Sequence, residues 1–439
     1  MDRLIAIALI AVVVFSALAF GTTEEWSVMV LKMSAVLLLL LWAIKAVADR
    51  QLVVVIPAST WPILALLVLG LIQSVALSDS TGQRRSLSMD VEATRLSVTL
   101  LFCLLVLFLV AANFFTRRER LQKLAFFLVI YGAAMALFAL IQHFTSNGKI
   151  YWISSVEASS SPSGPFLNRN HFAGYMNMLL PVAVGLIVTG AFPDLRLLFG
   201  FAAALMGVAS VLSLSRGGMT SLFAALMFLV AMSGKLWPPR PAQLGIKLVR
   251  IGAVVAILVA IIGGVIWVGA EPVITRIANT ITAPEGGEAD TLYRSRGWLW
   301  RGTWAVFVAH PIAGVGYGAY QTAYHLYDPG NGLQMVDFAH NDYLQVLADC
   351  GIIGGVLAVW FMVSLFRLIN QGLQARDRLL AGLALGGGGG IFAILVHSLF
   401  DFNLQVPSNA LLFLCETAIV SQIGSSLLRS SHENYQSKV

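Results

Sequence analysis

Apolar runs of roughly 18 to 25 residues recur along this chain and constrain its fold more than any other feature. A helix needs about 20 apolar residues to cross a bilayer. Inside the hydrocarbon no water takes up backbone N–H and C=O groups, so each run must satisfy its own backbone as a helix. The composition agrees: 58% of the 439 residues are hydrophobic and 11% charged, with a mean hydropathy of +0.81. Soluble proteins carry about 25% charged residues. The fold expected is an all-α polytopic integral membrane protein, a single membrane domain over residues 1–439.

Twelve spans are expected, at 4–20, 27–47, 53–77, 96–115, 121–144, 171–191, 195–213, 217–234, 248–270, 346–369, 379–400 and 407–425. Arg3 followed by Leu4–Phe20 has the look of a signal peptide, but no small-x-small cleavage site is clear, and it reads as the first span. The net charge of +6 does not point to nucleic acid, because the basic residues fall in short connections between apolar runs, where they set orientation. With the N-terminus cytoplasmic, the inner side collects the clusters Arg117, Arg118, Arg120, Lys123 and Lys235, Arg240, Lys247, Arg250, and the C-terminus is cytoplasmic too. Several of the basic residues left outside lie in one long insert, 271–345, where the rule counts least. Cys103, Cys350 and Cys415 show neither a disulfide framework nor a metal-binding spacing.

That orientation brings four unusual polar stretches to the outer face: Gly164–His171 (GPFLNRNH), Ser213–Gly218 (SLSRGG), the 271–345 loop between spans nine and ten, and His397–Asn409 (HSLFDFNLQVPSN). Arg216 lies beside Gly217 and Gly218 at the start of a helix. A guanidinium there can grip a phosphate, and the first N–H groups of the helix favour anions; an arginine snorkelling to the interface explains the same residue. His340 lies in AHNDYLQ, where the long loop re-enters the membrane. It can act as a base near neutral pH or simply cap a helix that begins at Asn341, with Asp337 and Asp342 the neighbours in sequence able to orient it. Arg294, Arg296 and Arg301 alternate with Trp298, Trp300 and Trp304, a pattern suited to a phosphate beside a sugar and equally to an interfacial amphipathic helix. Asn168, Arg169, Asn170 and His171, and likewise His397 with Asp401 and Asn403, read as polar mouth residues that hydrogen-bond a glycan or each other. No HExxH or paired-carboxylate spacing accompanies these histidines, so no metal site is expected. Gly386–Gly390 places five glycines in a span, where close helix packing or a local break is expected rather than a phosphate loop.

The ordered set GPFLNRNHFAG, SLSRGG, RSRGWLWRGTW, HPIAGVGYGAY, AHNDYLQVLADCGIIGG and HSLFDFNLQVPSNA resembles the O-antigen ligase and O-antigen polymerase superfamily over roughly residues 160–410. The resemblance implies a metal-independent, inverting membrane glycosyltransferase of the bacterial inner membrane, with its active site periplasmic and no cofactor. Its donor would be a glycan on undecaprenyl diphosphate, and its acceptor lipid A-core (a ligase) or a second lipid-linked glycan (a polymerase). By position, His340 matches the family's loop histidine, the implied base. Arg216 matches the SRGG arginine that grips the diphosphate, and the additional loop arginine is Arg294 or Arg296. Asn168, Arg169, His171, Asp342, Tyr343, His397 and Asp401 would be glycan or acceptor contacts. A transporter or flippase for lipid-linked sugars is a more distant alternative, and an intramembrane hydrolase using Ser213 or Ser215 has no supporting motif.

Overall fold

The computed structural model of this chain describes residues 1–50, 54–78, 84–146, 148–153, 161–236, 244–269, 271, 273–275, 288–328 and 335–436. In chain order its helices are α1 (Asp2–Leu18), α2 (Glu25–Ala48), α3 (Thr60–Gln73), α4 (Val91–Phe114), α5 (Arg118–Thr145), α6 (Arg169–Thr189), α7 (Arg196–Leu212), α8 (Arg216–Ser233) and α9 (Leu244–Gly269). They continue with α10 (Glu288–Ala309), α11 (Tyr320–Tyr327), α12 (Asp342–Gly372), α13 (Arg378–His397) and α14 (Pro407–Gln436). A short antiparallel pair, β1 (Ala76–Ser78) with β2 (Arg84–Ser86), lies between α3 and α4.

Among the described residues, nine helices are long and apolar enough to cross a membrane, namely α2, α4 to α9, α12 and α13. The chain is an all-helical polytopic membrane protein apart from the small β pair. Every expected span overlaps a helix, and among the described residues nine of these helices meet the length and hydropathy of a crossing. The third differs most. Where 53–77 was expected, α3 has only 14 residues and the chain then turns into β1. The reason is polar: Gln73 donates to Ala313 O (2.6 Å) and Asp349 O (3.0 Å) and accepts from Tyr317 N (2.9 Å), so the end of α3 is spent on binding another part of the chain.

The centre of the bundle is α6 against α13. Their apolar windows are 89% and 78% buried, against 22% for α2 and α9 at the periphery. The five glycines make this possible. All are buried in an unbroken α13, and a Cβ at Gly386 would lie 2.6 Å from Pro181 O, while one at Gly390 would lie 2.5 Å from Met178 O. Backbones approach this closely only where small residues remove the side-chain layer. Close packing, not a break, is what the run supplies.

Local chemistry fixes where helices begin and end. Asp90, Asn168, Ser215, Asn341 and Asp377 each cap a helix through the side chain, satisfying N–H groups left over at the start. Gly190, in the left-handed region (φ 67°), ends α6 with Gly190 N donating to Ile187 O and Ala191 N to Leu186 O. At the end of the bundle where α6 finishes, Arg118 Nε pairs with Asp377 Oδ2 at 2.6 Å, and Asp2 meets both Lys45 and Arg120.

The expected single span 346–369 is interrupted. Gly351 in α12 has φ 61° and ψ −159°, which frees the backbone groups around it. The glycine-rich Pro311–Tyr317 turn takes them up: Val315 N donates to Ala348 O and Gly316 N to Asp349 O, both at 3.0 Å, while Ile352 N donates to Pro311 O at 2.8 Å. Irregular backbone at membrane depth is tolerated when protein satisfies it. The part of the polar insert that precedes α12 also has its own small core, with Leu299, Val306, Val315, Tyr320, Tyr324, Ala339 and Ala348 buried together and Tyr320 Oη bonded to Thr303 Oγ1 at 2.7 Å.

Candidate active site

The site is assembled at the end of the bundle where α6, α8 and α12 start and α13 finishes. Asn341 begins α12 as the sequence leads one to expect, accepting from Tyr343 N (3.0 Å) and Leu344 N (3.1 Å). His340 immediately precedes it in the left-handed region, φ 48°, a conformation a residue with a side chain keeps only when its surroundings impose it. Its ring is oriented by neither sequence neighbour. Asp337 accepts from Gln321 (2.9 Å), and Asp342 from Ser398 Oγ (2.7 Å) and Leu404 N (3.2 Å). The partner is Asp401, whose Oδ1 lies 3.0 Å from His340 Nδ1.

Asp401 is 1% exposed and also accepts from Asn170 Nδ2 (2.5 Å) and Phe402 N (2.9 Å). Burial works to raise its carboxyl, but the His340 hydrogen bond and the facing imidazoles of His171, His340 and His397 outweigh that and hold it well below the usual carboxylate range. An ionised carboxylate only accepts, so Nδ1 is the ring nitrogen that donates to Asp401, and in the neutral ring that tautomer leaves the lone pair on Nε2. The histidine side chain is 37% exposed. This is the geometry of an oriented base: a buried anion behind a part-exposed ring.

Phe402 is the hub of the rings. His340 meets it edge-on with centroids 4.7 Å apart, His171 likewise at 4.8 Å, and Phe338 stacks on it at 4.5 Å. His171 is buried, as is His397 at 1% exposure. The imidazole of His397 lies against the bare Cα of Gly217, where a methyl would sit 2.8 Å from Nε2. The first glycine of SRGG is therefore required by a histidine from α13. The second is required by α6: a Cβ at Gly218 would lie 2.6 Å from Ala173 Cβ. Ser215 accepts from Gly218 N at 3.0 Å and Ser213 donates to Ser210 O at 2.6 Å, both buried, so neither is presented as a nucleophile.

Arginines from α6, α8 and α10 lie at this end of the bundle. Arg216 opens α8 and lies within electrostatic reach of Arg169, which donates to Ser161 Oγ at 3.3 Å. Arg296 comes from α10 and lies within electrostatic reach of His397. Guanidinium groups from three elements brought together favour an anionic guest, phosphate above all. The side chain of Arg294 lies outside the described residues. Of the remaining expected contacts, Asn168 caps α6 through its bond from Asn170 N. Asp342 and Tyr343 face inward and fasten α12 to the end of α13, Tyr343 Oη donating to Leu395 O at 2.8 Å. Trp298 and Trp304 are exposed, and Trp298 Nε1 donates to Asp328 Oδ1 at 3.0 Å.

Sequence reasoning placed Asn170 among the polar mouth residues but missed Phe402, the Asn170–Asp401 bond and the Asp401–His340 pairing. Asn170 sits inside a motif already singled out, and Phe402 is the aromatic between Asp401 and Asn403. Those signals were present, but nothing local says which histidine the aspartate serves.

A family model described as O-Antigen ligase matches residues 201–359, a stretch that contains Arg216, Arg294, Arg296 and His340 but neither Asn170 nor Asp401. A search of curated proteins gives no match. The match over 201–359 supports the O-antigen ligase and O-antigen polymerase superfamily for this chain, a family that implies a glycosyltransferase-type enzyme.

Proposed function

We propose that this chain transfers a glycan from undecaprenyl diphosphate to an acceptor hydroxyl on lipid A-core, at the periplasmic face of the bacterial inner membrane. The observation that carries the reading is the convergence of an oriented base, the His340–Asp401 pair, with Arg216, Arg169 and Arg296 at one end of the bundle. A base with no anion site, or arginines with no base, would fit transport or lipid binding as well.

In this reading His340 Nε2 takes the proton of the acceptor hydroxyl as its oxygen bonds to the anomeric carbon of the donor sugar. The bond from that carbon to the diphosphate oxygen breaks, and undecaprenyl diphosphate leaves with the electron pair. Arg216 and Arg296, with Arg169 beside them, neutralise the charge that develops on the leaving group, the task electrostatic preorganisation performs elsewhere. Asp401 stabilises the imidazolium that forms. Direct displacement inverts the anomeric centre. Asn168 caps α6, the buried His171 and His397 pack behind the site, and Asp342 and Tyr343 hold α12 in place.

The test is a purified transfer assay with a synthetic polyprenyl-diphosphate oligosaccharide and rough lipid A-core. Transfer with inversion, abolished in His340→Ala and Arg216→Ala, is the expected result; retained donor configuration would sink the mechanism. Elongation of the lipid-linked glycan with no product on lipid A-core would identify a polymerase instead.

A further inference from the structure

His340 is held in its left-handed conformation from both sides. On the C-terminal side Asn341 Nδ2 donates to Leu399 O (3.1 Å) and Asp342 N to Ser398 O (2.9 Å). On the N-terminal side a single side chain does the work. Ala339 N donates to Gln345 Oε1 at 2.8 Å, and Gln345 is 2% exposed. The other end of the same amide, Nε2, donates to Asp349 Oδ2 at 3.2 Å, one helical turn along α12. Asp349 is itself buried, two residues before the break at Gly351, and its carbonyl accepts from Gly316 N and from Gln73 Nε2. One chain of bonds therefore runs from the stitched break, where the turn following the Arg296-bearing helix is docked, to the Phe338–Ala339 peptide one residue before His340.

We propose that Gln345 is a positioning residue for the transfer reaction. With Asp349 it fixes the Phe338–Ala339 peptide, one residue before His340, so that the imidazole points at Asp401, and it ties that orientation to the seating of the Pro311–Tyr317 turn. The inference rests on the reading of His340 as the base. Residue type supports it: the position needs an acceptor for the buried Ala339 N–H and, at once, a donor for Asp349. A carboxylate supplies the first and not the second, and an apolar side chain supplies neither. The two ends of AHNDYLQ are thus linked, the histidine to act and the glutamine to aim it.

Steady-state kinetics in proteoliposomes with a synthetic polyprenyl-diphosphate oligosaccharide donor test this. Q345L is expected to lower kcat by about 100-fold, the scale of a small misplacement of a reacting group, with the donor KM little changed. Q345E is expected to be similarly slow, since it sets two carboxylates against each other. The double variant Q345E/D349N exchanges donor and acceptor and restores both bonds, so its kcat should recover well above that of Q345E alone. Coupling of that sign identifies a shared interaction. A Q345L enzyme with unchanged kcat, or a double variant no faster than Q345E, would overturn the proposal. The Q345E against Q345E/D349N comparison stands even where Q345L fails to fold. His340→Ala in the same assay separates the two readings: full turnover there removes the base and this inference with it. An inactive His340→Ala beside fully active Gln345 variants removes the positioning role alone.

Discussion

Asp401 follows His340 by 61 residues, yet its carboxylate sits 3.0 Å from the imidazole Nδ1 and is the group that orients the ring. Asp401→Asn is expected to reduce kcat by about 100-fold, part of the factor general-base catalysis supplies, because an amide can present either end to Nδ1 and no longer balances the imidazolium. Turnover of the purified variant measures it. A rate within a few-fold of the parent would show that His340 needs no anion behind it.

The depressed carboxyl of Asp401 also links stability to pH. A folded-state value below the unfolded value of about 3.9 means that the contribution is fully present above that value and is lost as pH falls through the lower folded one. Thermal unfolding in detergent should therefore show stability falling below about pH 4, with a shallower fall in Asp401→Asn. Identical acid profiles would place the loss elsewhere.

Arg296 lies within electrostatic reach of His397. Arg296→Ala is expected to lower kcat/KM for the lipid-diphosphate donor by at least about tenfold, the worth of a charge-assisted phosphate contact, and Arg294→Ala to change it less. The reverse order would reassign the loop arginine.

Gly217 and Gly263 offer a paired test of packing. A methyl at Gly217 meets the His397 ring at 2.7 Å, whereas one at Gly263 has nothing within 4 Å. Gly217→Ala should cost about 1–3 kcal/mol by overpacking, and Gly263→Ala should be neutral or stabilising by up to about 1 kcal/mol. Denaturation of the two variants in the same detergent decides it, and equal stabilities would contradict the close histidine contact.

Gly351 occupies backbone space reserved for glycine, and a Cβ there would lie 2.3 Å from Ile312 O. Gly351→Ala should lose more than about 3 kcal/mol of stability, combining strain with a backbone clash, and with it the docking of the glycine-rich turn. A variant that purifies and melts like the parent would show that α12 can run straight.

Much of this molecule is decided over short stretches of chain. The length of an apolar run determines that it forms a helix in a membrane, and a cap such as Asn341 or Ser215 acts on N–H groups only two or three residues away. Those features, and the polar stretches in which Arg216, His340 and Asp401 occur, could be read without a fold. What only the tertiary structure decided is which of them meet. The end of α3 is spent on Gln73's bonds to a turn some 240 residues later, α12 breaks at Gly351 because that turn is there to satisfy it, and Asn170 reaches Asp401 across 231 residues. Hydrophobic burial in a bilayer specifies that helices form but not how they are arranged. The arrangement comes from glycine-sized gaps and a few buried hydrogen bonds, and their partners are neighbours in space rather than in sequence.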